Sequence, residues 1–244
     1  MDSHLAPIDP ESFAGLTVVA VHAHPDDEAL FTGGVLASAV AHGADVHVIT
    51  CTLGEEGEVF DTTLLGLTAD HADQLGGFRY HELQASVDTL GATGHFLGGV
   101  GYWRDSGMEG PTRPDRRTAF IHSGEEAVTQ LQELFDELHP DIIITYDENG
   151  TYGHRDHIRV YEVVMATQCS WQPQVWCVVT DPTHPVTDVL ALDHSAYMAK
   201  VVAMAAHATQ IQFAQHSQGK LAEFALTNRL PQQVSDREFF QRVQ

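Results

Sequence analysis

Basic residues are scarce in this sequence. Twelve Lys and Arg stand against thirty-four Asp and Glu among 244 residues, for a net charge of −22. A surface so acidic repels nucleic-acid phosphates and anionic membranes, which argues against nucleic acid as a partner and points to a neutral or cationic small molecule. Cysteine is scarce as well: Cys51, Cys169 and Cys177 are an odd number without C-x-x-C spacing. Neither a disulfide framework nor a thiolate metal site follows from them, and a reducing cytoplasm fits. No apolar run approaches the ~20 residues of a membrane-spanning helix, and the opening "MDSHLAPIDPESFAG" lacks the basic start and apolar core of a signal peptide. The expectation is a soluble, cytoplasmic protein without membrane insertion; its oligomeric state stays open, a homo-oligomer included. Missing too are the G-x-x-x-x-G-K-S/T and G-x-G-x-x-G phosphate patterns, "LGGVGY" (97–102) being followed by Trp103 instead of a helix. The G-x-S-x-G elbow of serine hydrolases is also absent.

What is present alternates between strand and helix patterns. "LTVVAVHA" (16–23) is a short β-branched apolar run, the pattern of a strand covered on both faces. "EALFTGGVLASAVAHG" reads as a helix ending at Gly43, and "ADVHVITCTL" (44–53) as the second strand. Residues Thr68 to Leu90 read as helical, weakened in the middle by Gly76 and Gly77, and "GHFLG" (94–98) as a short strand. Residues 99–122 lack periodicity and read as a long functional loop. Ser123 to Glu126 matches the S-x-x-E capping box, after which Val128, Leu131, Leu134, Phe135 and Leu138 recur at helical spacing until Pro140. "DIIITY" (141–146), "HIRVYEVVMATQ" (157–168), "QVWCVVT" and "SAYMAKVVAMAAHATQIQ" continue as strand, helix, strand and helix. The fold class expected is α/β: a Rossmann-like, mainly parallel sheet flanked by helices, with its site at the carboxyl ends of the strands. Without repeats, low-complexity tracts or linkers, residues 1–244 read as a single domain, with 1–15 as an extended N-terminal segment.

The chemistry concentrates at the end of the first main strand, in "AVHAHPDDEAL" (20–30). His24 and Asp27 offer an imidazole nitrogen and a carboxylate, ordinary Zn²⁺ ligands. A third ligand must come from elsewhere, and "DENGTYGHRDHIRV" (147–160) brings His154 and His157 to the same edge of the sheet. Both could chelate, or one could ligate while the other acts on the substrate. A hydrolytic zinc needs three protein ligands and an open position, leaving Asp26 free as a general base. Taken alone, an Asp-Asp pair after a strand is turn or N-cap chemistry, and two histidines are a solvated helix start. Together, on adjacent strand ends, they describe amide hydrolysis.

"AHPDDE" with a later H-x-x-H resembles the LmbE-like, or PIG-L-like, family of metal-dependent N-acetylglucosaminyl deacetylases. "VHAHPDDE", "TCTLGEEGEV", "LTADHADQLGG", "WRDSGM" and "TYDENGTYGHRDH" extend the resemblance to the branch that acts on N-acetylglucosaminyl-inositol in actinobacterial mycothiol biosynthesis. It spans residues 16 to about 165. The resemblance implies His24, Asp27 and His157 as metal ligands, Asp26 as general base, and His154 as electrophile or acid, with Asp156 orienting or charge-balancing His154. Tyr152 would reach the tetrahedral intermediate, and Arg79, Asp105 and Glu58 would contact the sugar substrate. The implied cofactor is Zn²⁺, with Fe²⁺ as the alternative for a two-His, one-carboxylate set. Phe31 departs from an expected small polar residue, Arg155 from an expected Pro, and the part from 170 to 244 is divergent. Rival functions are a mycothiol S-conjugate amidase, a deacetylase of another N-acetylglucosaminyl conjugate and, from another class, a non-catalytic metal- or sugar-binding protein. Glu56, where that amidase tends to carry Arg, favours the deacetylase.

Overall fold

The computed structural model describes residues 5–114, 116–180, 185–214 and 221–243. The N-terminal stretch does more than extend: it adds a short strand, β1 (Ala6–Pro7), and a 3-10 turn over Pro10–Phe13 that buries Phe13 completely. The β-branched run forms β2 (Thr17–His22), buried from Val18 onward, as a central parallel strand must be. α1 (Asp27–Ala41), β3 (Asp45–Thr50), α2 (Leu75–Leu90) and β4 (Thr93–Phe96) follow. Gly43 lies just beyond α1 at φ 86°, a conformation that an L side chain resists. Next come α3 (Gly124–Leu138), β5 (Ile142–Thr145), a single turn α4 (Gly150–Gly153), α5 (Arg155–Ala166), β6 (Gln174–Val178), β7 (Asp188–Ala191) and α6 (His194–Ala206).

Three local expectations are corrected. The helix foreseen from Thr68 begins only at Leu75, because Asp73 takes a left-handed conformation (φ 54°) and its carboxylate is held 2.7 Å from Arg104 Nη2. The capping box does not form. Ser123 already has helical backbone angles, and its hydroxyl accepts from Arg159 Nε at 3.0 Å instead of capping α3. α6 stops at Ala206, short of the expected run to Gln212, where His207 turns its side chain inward.

The last part of the chain was the least legible. It supplies β7 and β11 (Arg237–Arg242) to the main sheet, and a small antiparallel sheet of β8 (Gln212–Phe213), β9 (Glu223–Ala225) and β10 (Pro231–Gln233). Eight strands line up as β1-β7-β11-β6-β5-β2-β3-β4. β11 is antiparallel to β6 and β7, and the remaining pairings are parallel. Glu238 of β11 fastens this part to α1, accepting from Gly34 N (2.8 Å) and Val35 N (2.7 Å) and pairing with Lys200 Nζ at 2.6 Å. The approach is close enough that a Cβ on Gly34 would lie 2.4 Å from Leu192 Cδ1.

This topology dictates where a site can be. From β2 the chain moves through β3 to β4 at one edge, then returns to place β5 on the other side of β2. The loops leaving β2 and β5 therefore diverge around a crevice, the switch point at which open α/β sheets bind ligands. The two histidine-bearing motifs lie on these two loops.

Candidate active site

The β2–β5 register pairs Ala20 with Ile144 and so sets the loop 23–27 beside the loop 146–157. Tyr146, the last residue of the apolar run "DIIITY", locks them together. Its hydroxyl accepts from Ala23 N (2.8 Å) and donates to Asp27 Oδ2 (2.7 Å), and its ring stacks on His157 at 4.0 Å. The expected strand contained Tyr146 but not its role; the available signal was an aromatic with a polar tip ending an apolar run at the crevice. His157 is completely buried in the first turn of α5, with the ring of Phe31 perpendicular to it at 6.0 Å between centroids.

These restraints place three donor atoms at the corners of a nearly regular triangle. His24 Nδ1 lies 3.3 Å from Asp27 Oδ2 and 3.3 Å from His157 Nε2, and His157 Nε2 lies 3.4 Å from Asp27 Oδ2. Tetrahedral bonds of about 2.0–2.1 Å require ligand-to-ligand separations of about 3.3–3.4 Å, so the set fits one face of a four-coordinate divalent ion. His154 brings a ring nitrogen within 4.8 Å of those of His24 and His157. Behind the triangle, His24 Nε2 faces Asp156 Oδ2 at 3.4 Å and Asp105 Oδ1 at 3.5 Å. Carboxylates on the distal nitrogen keep its proton there and leave the Nδ1 lone pair for a metal. Burial opposes protonation of His24, but Asp105, Asp156 and Asp27 outweigh it and hold its pKa well above the usual value.

One expected role changes accordingly, and another residue gains a second contact. Asp156 does not orient His154 with its carboxylate, which accepts from Ser106 N (2.8 Å) and faces His24; its contact with His154 is backbone, Asp156 N donating to His154 Nδ1 at 3.1 Å. Asp105, expected on the sugar, is buried with an edge on the cavity described below, and its carboxylate also meets His24 Nε2, Gly107 N and Glu56 N. The loop 99–122 bears on both positions: it brings Asp105 under His24, and its Ser106 N holds the Asp156 carboxylate of α5 there.

Asp26 lies between the metal triangle and Arg79. Arg79, expected to contact the sugar, is 3% exposed. It donates to Gly54 O (2.9 Å) and to Pro25 O, and stands 3.2 Å from Asp26 Oδ2. Gly54 makes room for it: at φ 65°, a Cβ there would meet Arg79 Nη1 at 2.1 Å. Arg79 is thereby a brace for the Asp26 loop, with its edge at the cavity. Burial pushes the Asp26 carboxyl up to about 7, with Arg79 pulling it down and Asp27 adding to the rise. Glu28 is fully buried, accepts from Asp26 N at 3.0 Å and meets His207 Nε2 at 2.6 Å. His22 faces Thr32 Oγ1 at 2.9 Å, and burial lowers its pKa to about 4.

His24, Asp26, Arg79 and His154 open on a cavity of about 340 Å³, with Tyr152, Glu58, Gln210 and Thr227 on its walls. Tyr152, 59% exposed, sits at the kinked turn α4 with its ring 5.1 Å from that of His157 and 6.1 Å from that of His154. Glu58 is exposed at the rim. His154 caps α5, so its Nδ1 is an acceptor and the neutral ring carries its proton on Nε2. Burial, followed by His24 and His157, lowers its pKa to about 3. A second cavity of about 520 Å³ lies under residues 106–114 and shares Glu56, Gly107 and Met108 with the first. Arg155 ties this loop down, donating to Gly107 O (2.6 Å) and Gly110 O (2.8 Å). Sequence reasoning passed over Gln210, Thr227 and His207, which no local motif marks.

Solved structures share the fold at low identity. A deacetylase–teicoplanin complex superposes with a TM-score of 0.61 at 17% identity, covering 93% of this chain and 99% of its own. A 4-carboxy-2-hydroxymuconate hydratase of Pseudomonas putida reaches 0.62 at 16% identity, covering 94% and 96%. A deacetylase and a hydratase thus stand equally near, and the backbone alone does not choose between their chemistries. Sequence is more selective. The chain is 46% identical over 228 residues to a 1D-myo-inositol 2-acetamido-2-deoxy-alpha-D-glucopyranoside deacetylase of Corynebacterium diphtheriae, covering 82% of this chain and 78% of the relative. The model of the PIG-L family, described as GlcNAc-PI de-N-acetylase, matches residues 19–168, which hold both histidine motifs. The chain belongs to the PIG-L family.

Proposed function

We propose that the chain is a zinc-dependent deacetylase of one domain that hydrolyses the N-acetyl amide of N-acetylglucosaminyl-inositol in mycothiol biosynthesis, releasing acetate and a free amine in a reducing cytoplasm. The observation that carries this reading is the triangle of His24, Asp27 and His157 donors, 3.3, 3.3 and 3.4 Å apart, with Asp26 beside it at the cavity. Two adjoining cavities suit a two-ring polyol, and the activity named for the corynebacterial relative supplies the substrate.

A divalent ion held by these three residues would supply Lewis-acid polarisation of the acetyl carbonyl and acidify water. The protein's own groups do the rest. Asp26, raised to about 7 by burial, takes the proton of the attacking water and returns it to the leaving nitrogen, which a carboxyl with a pKa near neutrality can do in both directions. His154 is poorly suited to that task, its pKa being lowered to about 3. As a neutral ring with its proton on Nε2, it donates a hydrogen bond to the oxyanion instead. Tyr152, at the cavity mouth, closes over the tetrahedral carbon.

The test is acetate release from N-acetylglucosaminyl-inositol and, side by side, cleavage of a mycothiol S-conjugate, after chelation and after return of Zn²⁺ or Fe²⁺. Release from the first should be lost on chelation and restored by metal. Asp26→Asn should lower kcat by about 10²- to 10⁴-fold with metal content unchanged. Preferred cleavage of the S-conjugate overturns the substrate, and near-normal turnover by Asp26→Asn overturns the mechanism.

A further inference from the structure

We infer that His207 is a positioning residue for Asp26, acting through Glu28 from the far end of the chain. The inference rests on Asp26 being the general base of the deacetylase proposed above. Asp26 has φ 116° and ψ −29°, outside the regions open to an ordinary side-chain-bearing residue. Such a conformation costs about 1–3 kcal/mol and persists only where the surroundings impose it. Here they impose it from three sides. The carbonyl of Asp26 accepts from Ala29 N (3.1 Å) and Leu30 N (2.9 Å), its carboxylate faces Arg79 Nη2 (3.2 Å), and its N–H donates to Glu28 Oε2 (3.0 Å).

The hold on the N–H depends on an acid buried without solvent. Glu28 keeps its orientation only if its other oxygen is occupied, since a lone buried carboxylate turns toward any donor or takes up a proton. His207 Nε2, 2.6 Å from Glu28 Oε1, occupies it together with Ser86 Oγ. Both His207 and Glu28 are completely buried.

His207 is itself fixed. Its carbonyl accepts from Gln210 N (2.9 Å) and Ile211 N (2.8 Å) just after α6. Two residues on, Thr209 binds Glu82 of α2 through its N–H (2.8 Å) and hydroxyl (2.6 Å), and Gln210 Nε2 donates to Glu58 O at 2.8 Å. The segment 207–210 thus plugs between α1 and α2, with one residue aimed at the acid behind the base. His207 Nδ1 has no hydrogen-bond partner among the described residues, so a single donor toward Glu28 is all this position provides. That requirement makes the inference testable, because glutamine can meet it and alanine cannot.

The experiment compares wild type, His207→Ala and His207→Gln for acetate release from N-acetylglucosaminyl-inositol, metal content and Tm. His207→Ala should lose about 10- to 100-fold in kcat, with KM within about two-fold and metal content unchanged. His207→Gln should return to within about three-fold of wild type. A residue that only stabilised the fold would lower Tm and leave kcat of the folded fraction alone. His207→Leu, which keeps bulk without a donor, takes the place of the alanine variant should that one not fold. Wild-type kcat in the non-donor variant, or a glutamine variant as impaired as it, overturns the inference while wild type turns over. Wild-type protein that releases no acetate overturns the deacetylase reading, and the inference with it.

Discussion

Residues up to 168 and residues from 185 onward both bury polar groups, but they use them differently. In the first part His24, Asp26, Asp27, His154 and His157 converge on one crevice: three of them form the triangle of donor atoms, and the ring of His154 lies 4.5 Å from that of His24. In the second part the buried groups face outward from their own segment into the first: His207 to Glu28, Thr209 to Glu82, and Glu238, with Lys200, to the N–H groups of Gly34 and Val35. One part assembles reacting groups, and the other restrains the elements that carry them. Restraint at a distance is needed here because Asp26, the base of the proposed mechanism, sits in a strained backbone, which its own loop would not maintain.

The largest test of this contrast asks whether all restraints from the second part are equivalent. Lys200→Met removes one partner of a buried ion pair, a change that typically costs 3–5 kcal/mol. Glu238 keeps its two backbone donors, so the lower end applies, about 3 kcal/mol, or roughly 6–12 °C in Tm for a chain of this size. The pair fastens the middle of α1 and touches neither Asp26 nor Glu28. Turnover of the folded protein should therefore hold, as thermal denaturation beside a kcat measurement will check. A loss of kcat matching that of His207→Ala would mean that the second part acts as one undifferentiated block.

The same contrast explains what the sequence disclosed. Polar groups on one short loop must be adjacent in sequence, so His24, Asp26 and Asp27 are legible as a motif, as are His154 and His157 at the start of one helix. The alternation of β-branched runs and amphipathic stretches was equally legible, since each strand or helix declares its period locally. What was hidden was mostly long range. Asp105 and Asp156 are visible as acids, but only the fold shows that both carboxylates face His24. The bracing role of Arg79 was hidden because two of its partners are backbone carbonyls, which carry no residue identity. His207 lies 179 residues from Glu28, and no periodicity links them.

A smaller effect should come from a residue of the first part that restrains without reacting. Arg155 pins residues 107 and 110 through two carbonyls, and Gly107 and Met108 line both cavities. Arg155→Ala frees that wall but leaves His154 and Asp156 in place, so substrate binding should suffer more than the chemical step. A rise in KM of about five-fold, worth roughly 1 kcal/mol, is expected with kcat little changed. Steady-state kinetics on N-acetylglucosaminyl-inositol separates the two. A fall in kcat with constant KM would place Arg155 with the reacting groups and blur the division.

The smallest effect probes a position that neither reacts nor restrains. Gly76 and Gly77 are neighbours in the first turn of α2, and both looked like weaknesses of a helix. They differ in what surrounds them. A Cβ on Gly76 would lie 2.7 Å from Glu55 Cγ and 3.0 Å from Leu53 Cβ, whereas one on Gly77 would meet nothing within 4 Å. Glu55 in turn accepts from Asp105 N at 3.1 Å, so displacing it disturbs the acids under His24. Gly77 is exposed, helical and without such neighbours. Gly77→Ala should then stabilise the protein by about 0.5–1 kcal/mol, through lower entropy of the unfolded chain and better helix propensity, with turnover unchanged. Gly76→Ala should destabilise it and lower activity together. Denaturant melts of the two variants distinguish them by sign, and a stabilised, fully active Gly76→Ala would show that the packing of α2 against residues 53–55 does not carry through to the site.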